Sequence, residues 1–295
     1  HQDLVLRCAE LGRRTPPDGD RDRKKGPQKP PKKRQKKSVF ITHRGACKEK
    51  YQDLCCAYAN CEIDGTGLAI RKEETMGLDH VIKVIGDYWD EHSSEFDKEH
   101  DTEDSKAWET TLSELIGKDT NKSIVDLGTG TGFLANMTAR LGYPTVGIDL
   151  SREMMKYAVR HGKKCGSPAV YMEGSALELP FMEDSVDYII NARLLWTLIE
   201  PKKALKEWYR VIRPGGKVMC FNRMQDGVGL TVWKDNIYQD RETDRSLEIM
   251  SAGMEELREL VENSGFAEVE IRKLPGLTRP GYDYEPWFVL MGTKH

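Results

Sequence analysis

A doubly wound α/β fold built on a seven-stranded sheet is what this 295-residue chain predicts, and three observations carry the prediction. From residue 123 onward, short apolar runs alternate with amphipathic segments of helical period, the pattern of a parallel sheet with helices on both faces. A turn with glycine at 128, 130 and 132 joins the first apolar run to the helical segment after it. Open α/β sheets bind their ligands at such strand ends. The last two apolar runs follow one another without a long helix between them, which predicts an antiparallel hairpin at one edge of the sheet.

The elements follow in order. Residues 78–117 alternate acidic and apolar positions at helical spacing and predict two or three helices ending at Gly117. A strand at 123–127 leads through the glycine turn into a helix closed by Gly142. A second strand at 145–150 precedes a helix with Ser151 as its N-cap and Gly162 at its end. Strands at 169–174 and 185–192 come next, then a helix from 201 to 212 with Pro201 in its first turn. A fifth strand at 215–221, a helix at 253–265, and strands at 267–274 and 286–294 complete the pattern.

Charge divides the chain. Residues 1–75 hold 18 Lys and Arg against 11 Asp and Glu, and the remainder holds 27 against 37. The first part contains a Pro-interrupted basic run at 21–37 that cannot bury enough apolar surface to fold alone. Residues 1–75 are therefore expected to be a basic, cysteine-containing extension, disordered or not native. The folded domain is expected at 76–295, with a helical lid at 76–117 and an α/β core at 122–295. Five of the seven cysteines lie in the first 61 residues. His43, Cys47, Cys55, Cys56 and Cys61 suggest a metal knuckle, but their spacings match none of the paired zinc patterns, so no metal is expected. No stretch reaches the roughly 18 apolar residues of a membrane span, and no signal-peptide core opens the chain. A cytoplasmic protein is the expectation.

The glycine turn narrows the ligand. A dinucleotide fingerprint requires glycine where Phe133 stands, and a P-loop requires a lysine that the turn lacks. What remains is Asp126, Gly128, Gly130 and Gly132, followed by Asp149 at the end of the second strand. At these positions, in "GSALELPF" at 174–181 and through the segment from 185 to 218 with its "RVIRPGGK" turn, the chain resembles the class I S-adenosylmethionine-dependent methyltransferases. The resemblance is to the broad group that includes ubiquinone-biosynthesis-type enzymes and many small-molecule methyltransferases.

The resemblance implies a Rossmann-like methyltransferase sheet and S-adenosyl-L-methionine as cofactor, with S-adenosyl-L-homocysteine as product. It implies that the glycine loop, with Thr129, approaches the methionine and ribose parts, that Asp126 orients the loop and the cofactor amino group, and that Asp149 accepts both ribose hydroxyls. Leu150 and Met154 are then expected against the adenine. Ser175 stands where the family usually has Asp, and Ala176, Leu177, Asn191 and Tyr88 complete the expected cofactor set. Trp89, Phe96, Arg193 and Trp196 are the substrate candidates, and His92 and His100 the candidate general bases.

The expected reaction is in-line transfer of a methyl group to a small-molecule acceptor, with the acceptor atom left open. The proline-rich motif of nucleic-acid amino methyltransferases is replaced by residues 191–194, and Cys165 and Cys220 do not follow proline as a cytosine-C5 nucleophile would. The acidic excess of the folded part also disfavours a phosphate backbone. The alternative is a nucleic-acid-associated protein that binds through its basic tail. A monomer and a homodimer are equally compatible with the sequence.

Overall fold

Strands that are apolar on both faces form the middle of a sheet, because helices must cover each side. The structure, a computed structural model, describes residues 76–100, 103–223, 237–277 and 287–295. The expectations for residues 1–75, including the cysteine cluster, lie outside the described residues. Seven strands are described: β1 (Ile124–Leu127), β2 (Thr145–Asp149), β3 (Val170–Glu173), β4 (Val186–Ala192), β5 (Ile212–Arg223), β6 (Ala267–Leu274) and β7 (Trp287–Thr293). Their order is β3-β2-β1-β4-β5-β7-β6. The first five are parallel, and β7 inserts antiparallel between β5 and β6. The strand order reverses at β1, so its C-terminal end and that of β4 frame a crevice.

Alternation along the strands separates two cores. Ile189, Val218, Cys220, Phe288 and Leu290 face one layer, and Ile190, Met219, Phe221, Val289 and Met291 face the other. Among the described residues two helices precede the sheet, α1 (Met76–His100) and α2 (Ser105–Ile116). They do different things, although the sequence suggested one helical lid over 76–117. Trp108, Leu112 and Ile116 recur every four residues on α2 and are all buried. Trp108 packs edge-on against Phe133, Phe221 and Trp287. A residue buried this way costs about 3–5 kcal/mol when truncated to alanine, so α2 belongs to the core. Only α1 lies over the crevice.

The remaining helices are α3 (Phe133–Arg140), α4 (Arg152–Cys165), α5 (Pro201–Val211), the short α6 (Arg241–Arg245) and α7 (Met254–Glu262). Ser151 caps α4 as expected, its hydroxyl accepting from the N–H of Met154. The helix does not end at Gly162. It continues to Cys165 and closes on Gly166, whose φ is +69°. Gly162 is a packing glycine, since a β-carbon there would lie 2.7 Å from Oδ1 of the buried Asn136 on α3.

The start of β5 contains two adjacent glycines with different reasons to be glycine. Gly215 has φ +80° with open space around it, whereas a β-carbon on Gly216 would sit 2.4 Å from the Asp187 carbonyl oxygen. Backbone atoms cannot move aside cheaply. Gly215→Ala is expected to cost about 1–2 kcal/mol from the left-handed backbone alone, and Gly216→Ala about 3 kcal/mol from overpacking. Urea unfolding of the two variants checks this, and equal midpoints would contradict it.

Candidate active site

Three glycines in the left-handed region let the chain reverse between β1 and α3: Gly128 at φ +60°, Gly130 at +53° and Gly132 at +83°. Asp126 braces the reversal from below. Its Oδ2 accepts from the Thr129 hydroxyl at 2.7 Å and from the Ala135 N–H at 3.1 Å. The loop's upper side is tied to the next strand, because the Gly130 N–H donates to Asp149 Oδ2 at 2.7 Å. The other oxygen of Asp149 accepts from the Ser151 N–H at 2.8 Å.

Burial pushes the Asp126 carboxyl up to about 7, against the hydrogen bonds from Thr129 and Ala135. Burial also pushes Asp149 up to about 6, opposed by the N–H groups of Ser151 and Gly130 and reinforced by Asp90. Carboxylates raised this way are common at functional sites because the charged form awaits a partner.

A cavity of about 460 Å³ opens above the loop. Gly128, Gly130, Asp149, Leu150 and Met154 line it, as do Ser175, Ala176 and Leu177. The Leu177 N–H donates to the Ser175 hydroxyl oxygen, which holds that turn against the cavity. Tyr88, Trp89, His92 and Phe96 reach it from α1, and Arg193 and Trp196 from the segment after β4. Four residues of the expected cofactor set stand elsewhere. Asp126 and Thr129 lie beneath the loop, and Asn191 is buried in β4 with its Nδ2 donating to the Cys220 sulfur at 3.2 Å. Gly132 is wedged against Ala158, Tyr171 and Asn136, each within 2.8 Å of where a β-carbon would be. These four shape the site from behind, without lining the cavity. His100 ends α1, and its side chain lies outside the described residues.

The lid is held by contacts that the sequence did not reveal. Asp90 on α1 accepts from the Ser151 hydroxyl at 2.6 Å and from the Glu153 N–H at 3.1 Å, a second acid at the N-terminus of α4. Asp97 contacts His161 of the same helix at 2.6 Å. Above these, Tyr88 stacks on His92 with ring centroids 4.0 Å apart. Acidic residues on an exposed-looking helix carry no sequence signal for a partner 61 residues away.

The site meets the requirements of an S-adenosyl ligand. The loop places backbone where side chains would intrude: a β-carbon on Gly128 would lie 2.7 Å from Leu194, and one on Gly130 would lie 3.3 Å from Phe96. An acid closes β2 where two neutral hydroxyls can donate to it, and the loop carries no lysine for a phosphate. Among the described residues no group of three or more His, Cys, Asp or Glu is arranged to hold a metal ion. Also among them, no helix is long and apolar enough to cross a membrane.

Fold and site together resemble those of the class I S-adenosylmethionine-dependent methyltransferases. Residues 125–220 match the family model described as "Methyltransferase domain". It is 31% identical to the demethylmenaquinone methyltransferase of Renibacterium salmoninarum over 39% of this chain and 47% of that protein. It is 32% identical to the ubiquinone biosynthesis O-methyltransferase of Cupriavidus pinatubonensis over 48% of this chain and 55% of that one. The arsenite methyltransferase of Halobacterium salinarum is 26% identical over 51% of this chain and 38% of its own length. The chain thus spans about half the length of the curated relatives it matches. A chain from the Haloferax volcanii complex of the Trm112 methyltransferase activator with a methyltransferase shares the fold, with TM-score 0.50 and 21% identity over 70% of this chain and 98% of that one.

The raised carboxyl of Asp149 makes ligand affinity pH-dependent. If Asp149 accepts from both ribose hydroxyls, as the resemblance implies, it does so in its ionised form, which is lost as pH falls through about 6. S-adenosylhomocysteine affinity is expected to fall below that pH, approaching about tenfold per pH unit. Asp149→Asn should bind more weakly and flatten the profile. Calorimetry from pH 5 to 8 checks both, and a flat wild-type profile would contradict the role given to Asp149.

Proposed function

We propose that this chain transfers the methyl group of S-adenosylmethionine to a small-molecule acceptor. The reading rests chiefly on one observation: the Asp149 carboxylate and the backbone of Gly128 and Gly130 line the same cavity as Trp89, Phe96, Arg193 and Trp196. The cofactor set is then Gly128, Gly130, Asp149, Leu150, Met154, Ser175, Ala176 and Leu177, with Tyr88 closing over them and Asp126, Thr129, Gly132 and Asn191 supporting from behind. Bound there, S-adenosylmethionine supplies a methyl group on a sulfonium, a leaving group that needs no acid catalyst.

The protein's own work is mostly alignment and exclusion of water. Trp89, Phe96 and Trp196 form the acceptor's walls, with Trp89 edge-on to Phe96 at 5.6 Å and to Trp196 at 6.2 Å. His92 is the general base where the acceptor must lose a proton. Its Nδ1 lies 2.8 Å from the Tyr88 carbonyl oxygen. A carbonyl only accepts, so Nδ1 carries the hydrogen and Nε2 keeps the lone pair. The small-molecule names of the curated relatives support this class of acceptor. A nucleic-acid substrate is disfavoured by the acidic excess of residues 76–295.

Gly130→Val is expected to remove S-adenosylhomocysteine binding in calorimetry while leaving the circular dichroism spectrum unchanged, because the branched side chain meets Phe96 and distorts the left-handed backbone of the loop. Wild-type affinity in that variant would show that the loop is only a turn. Labelled S-adenosylmethionine incubated with the full-length protein and small-molecule extract should give a labelled low-mass product. Label appearing only in added polynucleotide would favour the nucleic-acid reading.

A further inference from the structure

Resting on the methyltransferase reading, we propose that Trp208, Glu207 and Arg210 of α5 are positioning residues for the base of the cofactor, acting through the turn at 174–181 that they hold from behind. That turn stands next to the ribose acid. Asp149 pairs with Glu173 across β2 and β3, and the Gly174 N–H donates to the Asp149 carbonyl oxygen at 2.9 Å. Gly174, Ser175, Ala176 and Leu177 line the cavity. A base joined to a ribose held at Asp149 is within reach of them.

The first hold comes from an indole. Trp208 is fully buried, and its Nε1–H donates to the Ala176 carbonyl oxygen at 2.8 Å. A trans peptide sends its C=O and N–H in opposite directions. Turning the Ala176 carbonyl toward α5 therefore aims the Leu177 N–H away from the helix, and this N–H donates to Ser175 Oγ at 3.2 Å. The Ser175 hydroxyl keeps its own hydrogen and a lone pair for the base. Its position thus traces back to a side chain that does not line the cavity.

The second hold is ionic. Glu207 Oε1 accepts from the Leu179 N–H at 2.8 Å, and the Arg210 guanidinium donates to both oxygens of Glu207 at 2.7 Å. The same guanidinium donates to the carbonyl oxygens of Phe181 at 3.0 Å and Leu179 at 3.4 Å. Leu177, Leu179 and Phe181 are buried in the layer that contains Trp208. One helix therefore pins the backbone at 176, 179 and 181. A turn fixed before the ligand arrives loses little freedom on binding it, which is where the affinity gain lies. Releasing one pin should cost contact with the base. The ribose and amino-acid parts, assigned to Asp149 and the glycine loop, should keep their hold.

The test is calorimetry on the full-length protein with S-adenosylhomocysteine and with S-ribosylhomocysteine, which has the same ribose and amino-acid parts and no base. Wild type should bind the first at least about tenfold more tightly. Trp208→Phe keeps an aromatic ring and loses the N–H. It should weaken S-adenosylhomocysteine about fivefold and change S-ribosylhomocysteine by less than about twofold. Glu207→Leu, at a half-buried position, should act alike and carries the test where Trp208→Phe does not fold. Glu207→Gln, which keeps an acceptor for the Leu179 N–H, should recover part of the loss. Hydrogen exchange gives a second readout: ligand protection at 174–181 should fall in the variants and that at 128–132 should remain. Equal losses for the two ligands, unchanged S-adenosylhomocysteine affinity, or a wild type that does not distinguish the ligands overturns the proposal. Failure of wild-type protein to bind S-adenosylhomocysteine at all overturns the methyltransferase reading instead, so the two failures are distinguishable.

Discussion

The hydrogen bond from the Gly130 N–H to Asp149 Oδ2, 2.7 Å long, joins the two strand ends on which the site depends. It fixes the height of the glycine loop above the sheet and the direction of the carboxylate beside it. Burying that carboxylate is unfavourable, as its rise to about 6 records. Two backbone N–H donors offset part of the cost, and ligand hydroxyls would offset more. The fold therefore holds a charge that folding alone leaves incompletely compensated. That is a physical reason for the site to favour a ligand bearing two adjacent donors. The same groups exclude a phosphate ligand, because an anion would meet the carboxylate and find no lysine.

Coupling between lid and cofactor end follows from where α1 is anchored. Asp90 accepts from two donors at the start of α4, two residues beyond the acid that closes β2. The lid thus shares a helix terminus with the cofactor-facing strand, and its aromatic residues project from that anchor over the cavity. Movement of α1 would change both the surroundings of Asp149 and the aromatic lining that α1 gives the cavity.

Most of the sheet was legible because each parallel strand is a short apolar run bounded by glycine or by a capping residue such as Ser151. The glycine turn was legible because residue identity excludes the phosphate fingerprints, and Asp149 because of the resemblance to the class I methyltransferases. Other features were hidden for definite reasons. Gly162 resembles a helix stop in sequence, and only the proximity of Asn136 shows it to be a packing glycine. Asp126, Thr129, Gly132 and Asn191 sit in the right segments but behind the loop, a difference of depth that spacing does not encode. The division of 76–117 into a cover and a core helix depends on Trp108, Leu112 and Ile116, a stripe diluted by the acidic residues around it.

The central claim is that the glycine loop and Asp149 together hold the S-adenosyl ribose. A crystal structure of the protein grown with S-adenosylhomocysteine tests it most directly. The expected density places both ribose hydroxyls within hydrogen-bond distance of the Asp149 carboxylate and the amino-acid part over Gly128 and Gly130. Ligand bound elsewhere, or bound in this cavity with its ribose away from Asp149, would contradict the account.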